Sequence, residues 1–141
     1  MSTIIPDIET LKTVVKINAA IPYESVSPYI NDALDIYIEP QVGNVIIDIA
    51  STGEDTMLKD KILRCLGPLT LALATDELGI SFGDSGITVQ NEQGKRSPAN
   101  EAKIAAAKVS LFYRGMQALD RLLDYLERNK LKYPDYADHI S

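Results

Sequence analysis

The stretch from Ser97 to Asn129 restricts the fold most, because it reads as one uninterrupted amphipathic helix. Ser97 is a good N-cap, Pro98 suits the first turn, where its missing amide has no partner to lose, and no further proline occurs until Pro134. Ala105, Val109, Phe112, Met116, Leu119, Leu123 and Leu126 recur at spacings of 4, 3, 4, 3, 4 and 3, a seam along one helix face. At 1.5 Å per residue, a helix from Pro98 to Asn129 is about 48 Å long, so it must bend or project from a compact domain. Gly115 is the weak point within it. Arg114, Arg121 and Arg128 lie about 200° from the seam. They could track a polyanion, but Asp120, Asp124 and Glu127 interleave with them. A solvated face with an Asp124 to Arg128 pair is the expectation.

Shorter helices precede this one. Asp7 can cap "IETLKTVV", which places Ile8, Leu11, Val14 and Val15 on one face. After a linker with Ile21 and Pro22, "SPYINDALDIYIEP" offers Ser27 as cap and Pro28 at the first helical position. Its apolar face is Ile30, Ala33, Leu34, Tyr37 and Ile38. Pro40 either ends that helix or begins another through "QVGNVIIDIAS", with a bend expected there. A further helix runs from near Asp55 toward Leu78, with Leu58, Ile62, Cys65 and Leu66 opposed to Lys59, Asp60, Lys61 and Arg64. It is apolar nearly all round from Leu66 to Ala74, and Gly67 and Pro68 predict a kink or short break.

Between the two longest helices lies "GISFGDSGITVQNEQGKRSP". Ile80 and Phe82 alternate before "GDSG", and Ile87, Thr88 and Val89 follow it, a pattern that predicts a β-hairpin. "GDSG" also resembles the run around the nucleophile of chymotrypsin-like proteases. That chemistry needs a histidine base and an acid to orient it, whereas the only histidine is His139, near the C-terminus. In that family the histidine precedes the serine, two β-barrels are required, and the motif continues into another glycine and a proline. Here Ile87 and Thr88 follow and the chain is mostly helical, so Ser85 is read as a turn residue.

The fold class expected is therefore mainly α: a helical bundle with a long C-terminal helix and one β-hairpin excursion between the last two long helices. One domain of residues 1–141 is expected, with hairpin and loop at 79–97, the long helix at 98–129 and a tail at 130–141. With 45% hydrophobic and 24% charged residues, the chain has the composition of a folded globular protein. Paired cysteines, a histidine cluster, a lysine-bearing phosphate loop and a dinucleotide fingerprint are all missing. Asp32 and Asp35 could hold a divalent cation only with partners the sequence does not identify. No catalytic residue, metal, cofactor or small-molecule substrate is expected.

The net charge of −6 argues against non-specific nucleic-acid binding. Its distribution is uneven: residues 1–60 carry ten acids and three bases, net −7, and residues 61–141 carry ten acids and eleven bases, net +1. Such a division could favour head-to-tail packing of identical subunits. The single Cys65 cannot form an internal disulfide and lies in an apolar stretch, which suits a buried thiol in a reducing compartment. "MSTIIPDIET" lacks the pattern of a signal peptide, and no run is long enough to span a bilayer, so a cytoplasmic protein without membrane contact is expected.

In its arrangement the whole chain resembles a family of small, mostly uncharacterised proteins of phages and prophages of gut anaerobes. More loosely, it resembles phage head completion, or head-tail connector, proteins. The matching features are "IETLKTVVKI", "SPYINDALDIYIEPQVG", a mid-chain helix, and "GITVQNEQGKRSPANEAK" leading into the long helix. The resemblance implies a structural subunit that joins a homo-oligomeric ring and meets portal and tail-neck proteins, in the host cytoplasm during assembly and then at the virion neck. In connector families the excursion between helices and the C-terminal tail commonly make the contacts. The candidate interaction residues are then Ile80, Phe82, Ile87 and Val89 of the hairpin, the adjoining Lys95 and Arg96, and Tyr133 and Tyr136 of the tail. The other readings are a hairpin folded back on its own helices, a fraying tail, and a helical interaction or regulatory module outside the virion.

Overall fold

The computed structural model describes residues 4–15, 22–78, 80–83, 86–89 and 98–140, with side chains described outside 76–101. Helix α1 spans Ile8–Lys12 and is capped as the sequence predicts, the Thr10 amide donating to Asp7 Oδ1 at 2.8 Å. It is shorter than the apolar pattern suggested. Beyond it Val15 is still buried, and Arg114 Nη2 donates to the Val14 carbonyl at 2.6 Å, tying the segment after α1 to the long C-terminal helix.

Helix α2, Tyr23–Ala33, starts upstream of the predicted cap, so Ser27 and Pro28 lie inside it. Two tertiary interactions offset the hydrogen bond that Pro28 removes. Val26 is fully buried, and the Tyr23 hydroxyl donates to the Ile5 carbonyl at 2.7 Å.

The bend expected at Pro40 takes a specific form. Residues Leu34–Ile38 make a π-helical turn, and the Glu39 amide reaches back five residues to the Leu34 carbonyl. Pro40 has no amide to continue an ordinary ladder, and the wider turn shifts the register just before it. The short α3, Glu39–Val42, then stops at Gly43, whose φ of +86° and ψ of 154° belong to a region open essentially only to glycine. Helix α4, Asn44–Ser51, follows at once.

Helix α5, Thr56–Leu78, runs unbroken through Gly67 and Pro68, which corrects the expected break. Gly67 serves packing: a Cβ there would collide with the Val14 side chain, so its absence lets the segment that follows α1 approach. The all-round apolar stretch is enclosed, and its buried hydroxyls are satisfied along the helix, Thr70 donating to the Leu66 carbonyl and Thr75 to the Leu71 carbonyl, each at 2.7 Å. Cys65 is fully buried and donates to the Ile62 carbonyl; burial pushes its thiol up to about 12. At pH 8 the native thiol should therefore react with iodoacetamide roughly 1,000-fold more slowly than in the urea-unfolded chain. Equal rates would show that Cys65 is accessible.

The fold class is mainly α, and the expected bundle with a β-hairpin component is corrected accordingly. Among the described residues the extended backbone amounts to β1, Ile80–Gly83, and β2, Gly86–Val89, laid antiparallel with Ile80 opposite Val89 and Phe82 opposite Ile87. Among the described residues no third strand joins these two four-residue segments. They make no sheet layer, because a lone pair of strands is marginal in water.

Helix α6, Pro98–Arg128, is the long helix, and it packs along α5. The predicted tail is helical from Pro134 to Ile140, forming α7, which lies against α3 and α4. One continuous cluster of buried side chains runs from Ile4 through α2, α4 and α5 to Tyr136. Among the described residues no helix is long and apolar enough to cross a membrane.

Candidate interaction surface

Helix α6 carries two apolar faces where the sequence suggested one. The buried face is Ile104, Leu111, Ala118, Leu119, Leu122 and Leu126. Gly115 lies on that face, where an added Cβ would come within 2.6 Å of Leu69 Cγ. The predicted seam departs from it in the first half of the helix: Val109 is 67% exposed and Phe112 36%, and only Leu119 and Leu126 of the seam are fully within the core. The missed signal is the pairing of small residues. Gly115 meets Leu69 and Cys65 of α5, and Ala118, one turn on, is also buried, which draws that face inward and turns Val109 and Phe112 outward.

The outward face is continuous. Ala102, Ala105, Ala106, Val109, Phe112 and Tyr113 are all exposed and follow the three- and four-residue spacing of one helix stripe. Met116, half-buried, closes the stripe where it meets the core. Phe112 is steadied by an edge-on contact with Tyr37 of the π turn, with ring centroids 5.3 Å apart. Tyr113, 63% exposed, accepts a hydrogen bond from Gln117 Nε2 at 2.9 Å. A stripe of this kind offers aromatic and aliphatic anchors to a partner.

The polar clusters, by contrast, are engaged in holding the fold. Asp55 caps α5 by accepting from the Leu58 amide at 3.1 Å, and its other oxygen accepts from the Tyr133 hydroxyl at 2.6 Å. Tyr125 and Tyr133 hydroxyls are 3.0 Å apart, and Lys132 Nζ lies 3.7 Å from Asp55. Burial acts to raise the Asp55 pKa, yet the bonds from Tyr133 and Leu58 and the charge of Lys132 hold the carboxyl below its ordinary value. Burial and the bond to Asp55 push the Tyr133 phenol up.

Tyr133 and Tyr136, expected as tail contacts, are 2% and 5% exposed. They anchor the C-terminal segment in the core, which corrects both the docking and the fraying readings of that tail. Ile80, Phe82, Ile87 and Val89 form two cross-strand pairs, but their side chains, with Lys95, Arg96 and Ser85, lie outside the described ones. Arg128 pairs with Asp124 at 3.1 Å, the predicted spacing.

His139 has a structural role that the sequence did not indicate. Its Nε2 lies 3.0 Å from the Pro40 carbonyl, one of the acceptors left open where α3 stops, and its ring sits over Gly43, where a Cβ would come within 3.1 Å. His139→Ala should cost about 1 kcal/mol and speed amide hydrogen exchange across residues 134–140. Unchanged exchange there would deny His139 this role.

Beside this break the α2 to α4 region presents a shallow groove of mixed character, lined by Leu34 and Ile47 as well as by Asn31, Asp35, Glu39, Asn44 and Asp48. Among the described residues no three metal-ligating side chains converge. No curated protein and no solved structure matches the chain. Residues 23–141, from the start of α2 through α7, match the family of unknown function DUF6712, and the chain belongs to it.

Proposed function

We propose that the chain is a non-catalytic assembly protein of a phage or prophage particle, a head-tail connector or head completion subunit whose work is to hold other proteins together. The observation that carries this reading is the exposed stripe of α6 from Ala102 to Tyr113, an apolar face on a helix whose opposite face already fills the core. Leaving Val109, Phe112 and Tyr113 in water forgoes the stabilisation that burial would bring, and a partner's surface supplies it. The order of helices, with the long helix near the C-terminal end, supports the same reading through its resemblance to connector proteins. On this reading the partners are further copies in a ring and the portal and tail-neck proteins on either side.

Quantitative mass spectrometry of purified particles from a producing strain tests the proposal. A fixed, low copy ratio to the portal protein is the expected result. Complete tailed particles without the chain would remove the connector role and favour a regulatory interaction module.

A further inference from the structure

We infer that the unit of residues 23–141 carries a groove for a short apolar peptide, and that residues 4–15 are an arm which fills this groove and can leave it while the helices beneath stay folded. The inference does not depend on the assembly role proposed above. The family match begins at Tyr23, so the arm lies outside the matched unit. It is nevertheless seated on that unit along one side: Ile4, Ile5, Leu11 and Val15 are buried, whereas Asp7, Glu9 and Thr13 are exposed.

Three different helices of the matched unit hold the arm. The Tyr23 hydroxyl of α2 donates to the Ile5 carbonyl at 2.7 Å, near the start of the arm, and Arg114 Nη2 of α6 donates to the Val14 carbonyl at 2.6 Å, near its end. Gly67 of α5 supplies a notch, since the atoms nearest to a Cβ added there belong to Val14 and Leu11 of the arm. Two of these contacts grip main-chain carbonyls, which every peptide carries, and the notch selects the side chain. Peptide-binding grooves divide the work in this way, with main-chain bonds for hold and pockets for choice. The arm has little structure of its own. Its helix α1 is five residues long, far too short to be stable in isolation, and it is not among the closely packed helix pairs, such as α5 with α6 and α2 with α5. Its order therefore comes from the groove, and it is the segment placed to open alone. The occupant defines the ligand: a pair of branched aliphatic residues, one Asp-capped helical turn, then leucine and paired valines. The arm keeps the groove closed until a partner's segment of this pattern displaces it.

The test uses the full-length chain. Amide hydrogen exchange of wild type should show Leu11 to Val15 protected about 100-fold less than the interior of α5, because the arm opens by itself. Leu11→Asp should vacate the groove and keep the helical circular dichroism of the remaining helices. A fluorescein-labelled peptide of residues 1–16 should then bind Leu11→Asp about 10-fold more tightly than wild type, whose groove is occupied, as read by fluorescence anisotropy. Adding Gly67→Leu to Leu11→Asp fills the notch and should abolish that binding with α5 still helical. Equal protection of the arm and α5 would overturn the inference, as would unfolding of Leu11→Asp, its failure to bind the peptide, or binding that Gly67→Leu leaves unchanged.

Discussion

Gly115→Val should destabilise the fold by roughly 3 kcal/mol, the upper part of the usual range for overpacking a core. An added Cβ at Gly115 would lie 2.6 Å from Leu69 Cγ, 2.8 Å from Leu69 Cδ2 and 3.3 Å from the Cys65 carbonyl. Leu69 is fully buried and the carbonyl belongs to α5 itself, so neither neighbour can move without displacing the helix. Gly115→Ala meets the same clash with one carbon and gains up to about 1 kcal/mol of helix propensity, which leaves a smaller net loss of about 1 kcal/mol. Thermal melts should show valine about 10 °C below wild type and alanine between them. A Gly115→Val protein as stable as wild type would mean that α5 and α6 are not in close contact at this point.

Tyr133→Phe should cost about 2 kcal/mol at pH 7, because its hydroxyl donates to a carboxylate and also contacts the Tyr125 hydroxyl. The loss should depend on pH. The folded chain holds the Asp55 pKa below its ordinary value, so the ionised form is favoured by folding. That contribution is complete above the unfolded carboxylate value near pH 4 and disappears as pH falls through the lower folded value. Removing the Tyr133 donor lets the folded value rise toward the ordinary one. Urea melts should therefore separate wild type from Tyr133→Phe clearly at pH 7 and much less near pH 2. A difference of equal size at both pH values would show that the hydroxyl does not act through ionised Asp55.

Local rules in the sequence located several elements because their causes are themselves local. The Asp7 cap, the long helix from Pro98 and the Asp124 to Arg128 pair each depend on residues within one or two turns. Where the reading departed from the structure, distant contacts decided. Val26 and Tyr23 carry α2 past its own proline, and the approach of Val14 explains why Gly67 does not break α5. The burial of Tyr133 and Tyr136 depends on Asp55 and on α3 and α4, far away in the chain, which no periodicity in "YPDYADHIS" reveals.

The candidate surface was half legible for the same reason. The seam from Ala105 to Leu126 was visible as an apolar pattern, but which half is buried depends on rotation of α6 against α5. That rotation follows from the lack of a side chain at Gly115, and it sends Val109, Phe112 and Tyr113 into solvent. Phe112 and Tyr37 then meet across 75 residues of sequence, at the π turn that Pro40 requires.

The central claim is that this outward stripe, which the fold leaves largely in solvent, is what the protein uses. Its most direct test is the content of tailed particles made by cells that carry Val109→Glu in place of the wild-type chain. The account predicts that the variant accumulates folded in the soluble fraction and is missing from particles, with their yield reduced at least 10-fold. Incorporation of Val109→Glu at the wild-type ratio, with normal particle yield, would contradict it.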